Sequence, residues 1–536
     1  MLAMGVYFVK LRYYQEECKE TLFNYFVTQS GNPLIAMPTG SGKSLVIASF
    51  IADALKQWPN QRILMLTHVK ELIEQNAATL KNLWANAPLG LYSAGLNQRD
   101  AHRPIVFGGV QSVAPALKKG VHFGRRDLII IDEAHLLGDS ETSQYRFVIG
   151  EFLKLCPQVK VIGFTATPFR MRKGLLTSNG LFTDVCYDLT TMTAFNRLIA
   201  QGYLAPLIAK ATKTEIDISK VKITAGEFNA KQLEKAANAD DIVNSAVREM
   251  LELAYDRKSW MIFATGIDNT EHIASVIQSY GLQVLPVHSK LSNKLNAERL
   301  AAFKAGELRG LVSGQKLTTG FDHPEIDFIG DLNPTLSPGK HVQKLGRGTR
   351  PAPGKVNCLY ADFGGNVKRL GPINDPAIPK PPGQKTDQPA PVKICPECDI
   401  YNHASVKVCV NCGHLFKTAS KVQAISDTRQ PLADGLPQVE TFSVRSVVYK
   451  LHTRPGKPKM LRVLYRCDSQ TYQEFVLLEH SGYAGKKARD WWRQRHRKEA
   501  PASVIEALEL VSELKVPKSI KVWVNKKYPE VLTAEL

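Results

Sequence analysis

The chain has 536 residues, 44% of them hydrophobic, and its 69 Lys and Arg against 50 Asp and Glu give a formal net charge of +19. This length predicts about three to four domains, and the lack of any apolar run of about 18 residues excludes a membrane-spanning helix. The charge excess predicts a polyanionic partner such as nucleic acid, although a dispersed basic surface would give the same total. The N-terminal residues lack the basic start of a signal peptide, so we expect a cytoplasmic protein.

The first predicted element is an amphipathic helix over residues 11–26, which precedes a short apolar strand at 33–36. Arg12 and Gln15 stand at the start of this helix with Arg-x-x-Gln spacing. A glutamine amide donates and accepts hydrogen bonds at once, so it can bind the edge of an adenine base. A surface glutamine is the commoner case, and we place both residues at a nucleotide site because of the segment that follows them.

That segment is a glycine-rich turn followed by apolar residues at helical spacing. The turn has the sequence Met37-Pro38-Thr39-Gly40-Ser41-Gly42-Lys43-Ser44. A strand, such a turn and a helix form a phosphate-binding loop, because backbone N–H groups and the helix N-terminus converge on phosphate oxygens. Lys43 would reach the β- and γ-phosphates, and the Ser44 hydroxyl would bind Mg²⁺. The alternative is a Gly/Ser turn before an amphipathic helix, and Met37 does replace the first glycine of the usual pattern.

Apolar strands then alternate with helical stretches, at 33–36, 62–67, 104–107, 127–131 and 160–164. This alternation predicts a parallel, doubly wound sheet, in which ligands bind at the carboxyl ends of the strands.

Two carboxylates, Asp132 and Glu133, directly follow the aliphatic strand at 127–131. The pair suits metal-assisted hydrolysis of a phosphoanhydride, in which Asp132 would bind Mg²⁺ and Glu133 would orient or deprotonate the attacking water. An acidic turn that merely ends a buried strand is the alternative, and the loop upstream in the same sheet makes it the weaker one.

A second alternation of strands and helices follows, with strands predicted at 260–264, 283–287, 309–313, 327–331 and 357–362. Gly320 and Asp322 follow the third of these strands. Arg347 and Arg350 lie three residues apart, which would place both on one face of a helix. Two guanidinium groups suit a γ-phosphate whose charge grows in the transition state. A basic helix that faces solvent is the alternative.

Together these segments resemble the motifs of a superfamily 2 helicase of the DEAD/DEAH-box type. The matching segments are Gln15, MPTGSGKS at 37–44, THVKELIEQ at 67–75, GGVQS at 108–112, DEAH at 132–135, TATP at 165–168, TTGFD at 318–322 and QKLGRGTR at 343–350. The resemblance implies two tandem RecA-like domains with ATP in the cleft between them, and it tolerates a methionine at the first glycine. Closure of the cleft on ATP would move two nucleic-acid grips relative to each other.

The predicted site follows from these assignments. The predicted catalytic residues are Glu133, Lys43, Arg347 and Arg350. The predicted nucleotide-binding residues are Arg12, Gln15, Thr39, Gly40, Ser41, Gly42, Lys43, Ser44, Asp132, Gly320 and Asp322, with Mg²⁺ on Ser44 and Asp132.

Four cysteines with the spacing C-x₂-C-x₁₀-C-x₂-C follow a Pro-rich linker at 371–392. Paired thiolates in this pattern can form a closed tetrahedral Zn²⁺ site, which supplies folding energy to a module too small for its own core. Unrelated thiols and disulfides are the alternatives, and a reducing compartment disfavours the second. We predict a structural zinc ribbon at 393–417. Its ligands would be Cys395, Cys398, Cys409 and Cys412.

A second linker at 418–440 leads to a basic C-terminal domain at 441–536. The strands predicted in this domain are 444–449, 461–466 and 472–478. Residues 480–498 predict a basic helix that can neutralise phosphates. Trp491 and Trp492 point about 100° apart on such a helix, so we expect at least one in the core. Nucleic-acid contact by the basic residues is therefore favoured over base stacking by either tryptophan.

The helicase core, Pro-rich spacer and cysteine module resemble a narrower group, the RadD-type bacterial DNA-repair ATPases, over roughly residues 10–415. This resemblance implies work alongside single-strand-binding protein and recombinase. The C-terminal domain departs from it, which indicates a divergent relative from a phage or mobile element. The predicted domains are 1–205 (first RecA-like domain), 206–258 (connecting segment), 259–370 (second RecA-like domain), 371–392 (linker), 393–417 (zinc ribbon), 418–440 (linker) and 441–536 (basic C-terminal domain).

We predict an ATP-dependent DNA helicase or translocase acting in recombination, repair or replication. Its cofactors would be ATP, Mg²⁺ and Zn²⁺, and its partner single-stranded or forked DNA, with no membrane involved. An RNA helicase is one alternative, because the DEAH sequence does not separate DNA from RNA. A DNA-stimulated ATPase that acts as a clamp or recruitment factor without separating strands is the other.

Overall fold

The computed structural model describes residues 10–137, 143–170, 174–224, 226–314, 316–317, 320–377, 392–416, 438–453, 458–468, 470–480, 482–526 and 528–536. Most of the two predicted linkers, and Thr318 and Thr319 of the predicted strand end, lie outside these residues. Within them, no helix is long and apolar enough to cross a membrane.

The described residues form two compact units. One lies within Met1–Phe195 and Tyr203–Thr418, and the other lies within Asn196–Gly202 and Ala419–Leu536. The first unit contains two parallel sheets and the cysteine module, and the second contains an antiparallel sheet. The predicted pair of RecA-like domains corresponds to the two parallel sheets.

The first parallel sheet lies in the N-terminal part of the chain. The strands of this part are β1 Pro33–Ala36, β2 Ile63–Thr67, β3 Leu89–Ser93, β4 Gln98–Arg99, β5 Ile105–Gly109, β6 Leu128–Asp132, β7 Lys160–Thr165, β8 Phe169–Arg170, β9 Gly174–Leu175 and β10 Asp184–Asp188. Eight of them form the sheet in the order β10-β1-β7-β6-β2-β5-β3-β4, in which β4 is antiparallel to β3 and the other pairs are parallel. The helices are α1 Tyr13–Thr28, α2 Lys43–Gln57, α3 Lys70–Leu83, α4 Val110–Lys118, α5 Gln144–Leu155 and α6 Met192–Ala200.

The central strands of this sheet are buried on both faces, as parallel strands are when helices cover a sheet. β6, with the sequence Leu-Ile-Ile-Ile-Asp, is buried along its whole length. The five strands predicted from aliphatic runs are confirmed, each end within two residues. The strands β3, β4 and β10, at or next to the sheet edges, were not predicted. β10 has the sequence Asp-Val-Cys-Tyr-Asp, which lacks the aliphatic run that identifies a buried strand.

The second parallel sheet follows the same design. The strands of this part are β11 Leu207–Ala211, β12 Ile223–Thr224, β13 Glu227–Phe228, β14 Trp260–Phe263, β15 Val284–Pro286, β16 Gly310–Ser313, β17 Phe328–Asp331 and β18 Cys358–Asp362. Six of them form a parallel sheet in the order β11-β18-β17-β14-β16-β15. The helices are α7 Ala230–Ala237, α8 Asp240–Leu253, α9 Ile267–Ser279, α10 Asn293–Lys304, α11 Pro338–Leu345 and α12 Asn366–Leu370. Alternate residues of β14 enter opposite cores, Trp260 and Ile262 one and Met261 and Phe263 the other.

Residues 206–258, predicted as a connecting segment, belong to the domain of the second sheet. β11 is the edge strand of that sheet, and α8 packs into its core through Val243, Val247 and Met250. Two separate helices, α7 and α8, lead into β14, and Asn238 is the C-cap that ends the first of them.

The helix predicted to carry Arg347 and Arg350 ends before both of them. After α11, Gly346 and Gly348 continue the chain as a turn. A Cβ on Gly346 would lie 2.6 Å from Cβ of Thr39. The glycine therefore allows close approach to the phosphate-binding turn, and the two arginines extend from a loop and not from a helix face.

The cysteine module attaches to the edge of the second sheet. Its strands, β19 Val392–Ile394 and β20 Tyr401–His403, form an antiparallel pair. An antiparallel bridge joins Ile400 to Lys210 of β11.

The second unit is built on an antiparallel sheet. Its strands are β21 Val439–His452, β22 Met460–Cys467, β23 Thr471–Val476, β24 Ser519–Trp523 and β25 Glu530–Glu535, in the order β23-β22-β21-β24-β25. Helices α13 Gly482–Arg495 and α14 Val504–Glu509 contribute to the core on one face of the sheet. The three predicted strands and the basic helix are present, and Trp492 is fully buried as expected of one tryptophan.

Candidate active site

The glycine-rich turn closes tightly because two of its glycines adopt left-handed backbone angles. Gly40 and Gly42 have φ values of 85° and 84°, which glycine reaches without the steric cost that a Cβ brings. α2 begins directly afterwards at Lys43, so the turn leads into a helix N-terminus as a phosphate site requires. Ser41 is fully buried, and its hydroxyl donates to the carbonyl of Pro38 at 2.7 Å. The Ser41 side chain therefore stabilises the turn itself.

The predicted adenine-binding residues pack against the same turn. The Gln15 amide donates to the carbonyl of Ser41 at 2.9 Å, and its oxygen accepts from the N–H of Arg12 at 2.9 Å. The hydroxyl of Tyr14 donates to the same Ser41 carbonyl at 3.0 Å. The Arg12 guanidinium lies 5.0 Å from the ring centre of Tyr203. Gln15 thus ties α1 to the turn, and its contact with adenine stays a prediction.

The two carboxylates at the end of β6 have different surroundings. Asp132 is 3% exposed and accepts hydrogen bonds at 3.0 Å from the Asn76 amide and at 3.0 Å from the N–H of Glu133. Glu133 has a φ of 55°, an angle that costs a non-glycine residue on the order of 1 kcal/mol or more. Its Oε1 lies 3.5 Å from Nζ of Lys43, longer than a charge-assisted hydrogen bond of about 2.8 Å. A strained backbone thus holds Glu133 beside the lysine of the turn.

The pKa values of these carboxyls move in opposite directions. Burial and the adjacent Glu133 raise the pKa of Asp132 to about 6. Burial also acts to raise the pKa of Glu133, but Lys43, His135 and Arg347 outweigh it and hold that pKa below its usual value. Two neighbouring carboxyls whose pKa values are pushed apart are typical of a site that binds a cation and activates water.

Two arginines from the domain of the second sheet lie near the turn. Nε of Arg350 lies 2.8 Å from Oδ1 of Asp322 in an ion pair, and a Cβ on Gly40 would lie 3.0 Å from Cγ of Arg350. Arg347 is 5% exposed and donates to the carbonyl of Phe321. Burial lowers the pKa of both arginines, for Arg347 to about 9 with a further contribution from Arg350. The predicted arginines and Asp322 therefore meet the turn from the opposite side of the cleft.

His135 joins the two domains through its imidazole ring, a role that the sequence analysis did not assign. Its Nδ1 lies 3.0 Å from Oγ1 of Thr165 and 3.3 Å from Oε2 of Glu133. Its Nε2 lies 3.0 Å from Nε2 of Gln343, in α11 of the second domain. His135 and Gln343 both lie within segments of the helicase resemblance, so that signal was present. Asn76 lies one residue beyond such a segment.

Gly320 lies at a second contact between the two domains. Its φ is 75°, and a Cβ there would lie 3.2 Å from Cβ of Glu71 and 3.4 Å from Cγ1 of Val69. This contact borders a cleft of about 640 Å³, whose lining includes Thr265, His288 and Lys316. The structure thus places Gly320 beside this cleft, whereas Asp322 lies beside the arginines.

The buried side chains around the turn fit a nucleoside triphosphate with Mg²⁺. Nζ of Lys43 and Nη1 of Arg350 are buried nitrogens to which the described residues offer no hydrogen-bond acceptor. Buried cationic donors left in this way are costly unless a ligand completes them. Ser44 follows Lys43 in α2, and Asp132 offers the carboxylate oxygens that Mg²⁺ prefers. The donor set therefore suits phosphates and one divalent cation.

The four predicted cysteine ligands converge. Their Sγ atoms all lie within 4.8 Å of one another, with 3.6 Å between Cys395 and Cys412 and also between Cys398 and Cys409. A tetrahedral site with Zn–S bonds of about 2.3 Å has sulfur–sulfur distances of about 3.8 Å. Asn402 donates to Sγ of Cys409 at 3.5 Å, a bond that orients a ligating thiolate. The geometry fits one structural Zn²⁺.

Two family models match the chain, one on each parallel-sheet domain. "Type III restriction enzyme, res subunit" matches residues 8–170, and "Helicase conserved C-terminal domain" matches residues 243–352. The two matches include the predicted turn, both carboxylates and both arginines.

Curated relatives support the same family. The chain is 26% identical over 381 residues to a Saccharomyces cerevisiae protein designated ATP-dependent helicase IRC3, covering 69% of this chain and 53% of the relative. It is 27% identical over 399 residues to a 51.5 kDa protein of a Lactococcus phage, covering 72% of this chain and 79% of the relative. The chain thus spans about half the length of the yeast relative.

A solved structure shares the fold. Helicase Lhr of Mycobacterium smegmatis, bound to single-stranded DNA and AMP-PNP, superposes with a TM-score of 0.50 at 16% identity. The superposition covers 70% of this chain and 50% of Lhr. The likeness shows the tandem RecA-like fold. None of these matches singles out the narrower RadD-type resemblance, which stays a prediction.

Proposed function

The chain belongs to helicase superfamily 2, whose members hydrolyse ATP, and from this premise we propose that it is an ATP-dependent DNA translocase or helicase acting in recombination, repair or replication. The observation that carries the proposal is the meeting of two parallel-sheet domains at one glycine-rich turn. The turn and the carboxylates belong to the first domain, and Arg347 and Arg350 belong to the second. A site divided in this way is complete only when the domains close.

Four residues of the turn and of the β6 end have proposed roles in hydrolysis, namely Lys43, Ser44, Asp132 and Glu133. Lys43 and the backbone of residues 39–44 would hold the phosphates, and Ser44 and Asp132 would hold Mg²⁺. Bound Mg²⁺ would neutralise charge on the phosphate oxygens. Glu133 would orient the attacking water and accept its proton. Lys43, His135 and Arg347 hold the pKa of Glu133 below its usual value despite its burial.

The second domain would stabilise the transition state and respond to the loss of the γ-phosphate after hydrolysis. Arg347 and Arg350 would meet the charge that grows on the γ-phosphate. The chain of contacts from Glu133 through His135 to Gln343 then links the hydrolytic carboxylate to α11. Loss of the γ-phosphate would release these contacts and reopen the cleft, which is the step that converts hydrolysis into movement.

DNA is the nucleic acid along which we propose that the protein moves. The net charge of +19 favours a polyanion, and the cleft beside Gly320 is lined from both domains and includes Lys316. The solved Lhr structure, which shares the fold, is bound to single-stranded DNA. The RadD-type resemblance favours single-strand-binding protein and recombinase as partners. The four converging cysteines favour a structural Zn²⁺, and reduced thiols favour a cytoplasmic location.

The test is the ATP hydrolysis rate with single-stranded DNA, duplex DNA, forked DNA and RNA side by side, followed by an unwinding assay on the same forks. We expect DNA to stimulate hydrolysis and forks to be separated. Stimulation by RNA alone would replace the proposal with an RNA helicase. Stimulation by DNA without strand separation or movement would replace it with a clamp.

A further inference from the structure

The C-terminal sheet has one face that its helices leave open. Leu461, Val463 and Tyr465 of β22 enter the hydrophobic core together with residues of α13 and α14. Because successive residues of a strand point to opposite faces, Arg462 and Arg466 lie on the other face. This open face is defined by Ser446, Val448, Lys450, His452, Arg462, Leu464, Arg466, Thr471, Gln473 and Phe475.

Basic residues lie side by side on the open face. Lys450 of β21 pairs directly with Arg462 of β22. Like charges directly opposite one another destabilise a sheet. Arg466 lies further along β22, opposite Ser446, and is exposed. An anionic ligand would therefore relieve a repulsion that is built into the register of these strands.

Two aromatic rings, those of Phe475 and His452, lie beside the basic residues on the open face. Phe475 of β23 is the cross-strand partner of Arg462, and its ring centre lies 5.0 Å from that of His452. Tyr472 and Val476 of the same strand enter the core on the opposite face. Phe475 remains half-buried on the open face, so an aromatic surface lies between cationic side chains. A nucleic-acid base can stack on such a surface while the cations neutralise its phosphates.

Two acidic residues close in sequence to this face, Glu474 and Asp468, make contacts elsewhere. The ten residues that define the open face include no Asp or Glu. Glu474 lies on the helix side, where it accepts from the Trp491 indole N–H at 2.5 Å. Asp468, in the turn after β22, forms an ion pair with Arg445.

The two tryptophans of the basic helix α13 offer no surface for bases. Trp492 is fully buried. Trp491 donates to Glu474, and the guanidinium of Arg495 lies 4.1 Å from its ring centre. Both tryptophans are thus occupied by the protein itself, whereas Phe475 on the sheet lies beside exposed basic residues.

We propose that the open face binds single-stranded nucleic acid, with a base on Phe475 and phosphates on Lys450, Arg462 and Arg466. A duplex keeps its bases stacked inside, so an aromatic sheet surface selects single strands. This site is additional to the cleft of the helicase core and does not require ATP.

The experiment measures binding by the full chain without nucleotide, using fluorescence anisotropy. The probes are oligothymidylate and oligouridylate of about 15 nucleotides and an abasic oligonucleotide of the same length. We expect Phe475→Ala to weaken oligothymidylate binding about tenfold and to leave binding of the abasic probe unchanged. The matched control is Tyr528→Ala, an aromatic of the same unit that is 72% exposed, which should change neither.

The charges have their own readout. The double variant Lys450→Ala/Arg466→Ala should reduce the slope of log K against log salt by about 1.4, since each neutralised phosphate of a single strand contributes about 0.7. If Phe475→Ala weakens binding of oligouridylate as much as binding of oligothymidylate, the proposal stands and the open face binds both DNA and RNA.

Two results would overturn the proposal. One is an unchanged affinity of Phe475→Ala for both base-containing probes. The other is a double variant that loses polyglutamate binding while oligonucleotide binding is kept, which would make the face a site for acidic peptides. If Phe475→Ala does not fold, photocrosslinking of 5-iodouracil DNA to the wild-type chain decides, and crosslinks that leave β23 untouched would also reject it. A failed ATPase would not alter these outcomes.

Discussion

Asp132 and Asp331 are buried aspartates that end a strand in the first and in the second parallel sheet, and the protein compensates their charges differently. Asp331, at the end of β17, is fully buried and accepts from Nζ of Lys344 at 2.8 Å, from the Tyr360 hydroxyl at 2.6 Å and from the Asn366 amide at 3.0 Å. We call these four residues the closed cluster. Asp132, at the end of β6, is almost as buried, but its described side-chain donor is the neutral amide of Asn76.

The open cluster, Lys43, Asp132 and Glu133, leaves its charges only partly compensated. Nζ of Lys43 stays 3.5 Å from Glu133. Buried charges are costly unless they are paired and hydrogen-bonded. In the second domain the protein's own side chains pair the buried charge. In the first domain we expect bound phosphate and Mg²⁺ to complete the pairing. This difference indicates that the closed cluster holds α11, from which the turn with the two arginines extends, in place. It is also consistent with the proposed role of the open cluster in hydrolysis.

The largest expected effect comes from breaking the open cluster. Lys43→Ala should lower ATP hydrolysis at least about 10⁴-fold, or more than about 5 kcal/mol of barrier, because the phosphates lose their buried cation. Arg350→Ala should also abolish turnover, and DNA binding at low salt should survive in both variants. Phosphate release measures turnover. Lys19→Ala, which removes a lysine paired with Asp53 at 2.8 Å, is the matched control, and turnover in Lys43→Ala at the control's rate would reject the assignment.

The next effect comes from breaking the closed cluster. Lys344→Met should lower the free energy of unfolding by about 3 to 5 kcal/mol, because it leaves the buried Asp331 without its counter-charge. Lys340→Met, one turn earlier on α11 and half-exposed, should cost less than about 1 kcal/mol. Urea unfolding measures both.

The double variant Lys344→Met/Asp331→Asn sharpens this test. It should recover part of the loss, since the uncompensated charge is removed with its partner. Equal losses in Lys344→Met and Lys340→Met would show that Asp331 does not depend on the ion pair.

A smaller effect is expected from pH, through His341 beside the closed cluster. Nε2 of His341 lies 3.0 Å from the carbonyl of Gly371, and burial and Lys344 lower the pKa of His341 from 6.5 to about 4. Neutral His341 therefore contributes fully to the free energy of unfolding above pH 6.5. This contribution is lost as the pH falls towards 4, by about 3 kcal/mol in total.

The variant His341→Gln isolates this contribution. Asp362, whose pKa burial and Asp331 raise to about 7, acts with the opposite sign in the same window, so the measured quantity is the difference between variant and wild type. Unfolding free energies from pH 7 to pH 4 should converge as the pH falls. Parallel curves would mean that the pKa of His341 is the same in the folded and the unfolded protein.

The central strands and the carboxylates at the end of β6 were predictable from sequence, because each of these features is contiguous in the chain. Aliphatic runs located the central strands, and Asp132 and Glu133 follow one of them directly. The contacts that give these residues their roles join distant segments, such as Asn76 with Asp132 and His135 with Gln343. Local patterns carry no information on such pairs.

The end of α11 and the closed cluster show the same limit. The spacing of the two arginines fits a helix, but tight packing against Thr39 requires the glycine that follows the helix end. Nothing in the local sequence marks Asp331 or Lys344, since a buried ion pair forms only where two elements meet. The open face of the C-terminal sheet depends in turn on the cross-strand register, which local patterns do not predict.

The smallest effect on turnover is expected from removing zinc, which tests whether the closed cluster suffices to hold the second domain. The cysteine module contacts that domain at its edge: Nζ of Lys210 donates to the carbonyl of Cys398 at 3.1 Å, and the N–H of Ala211 donates to Asp399 at 2.8 Å. Chelation should unfold residues 393–416 and speed hydrogen exchange in β11, yet change ATP hydrolysis by less than about twofold once Mg²⁺ is restored. Cys412→Ser should act likewise, with Cys467→Ser as the control. Lost turnover would mean that the module is integral to the domain and that the closed cluster alone does not position the arginines.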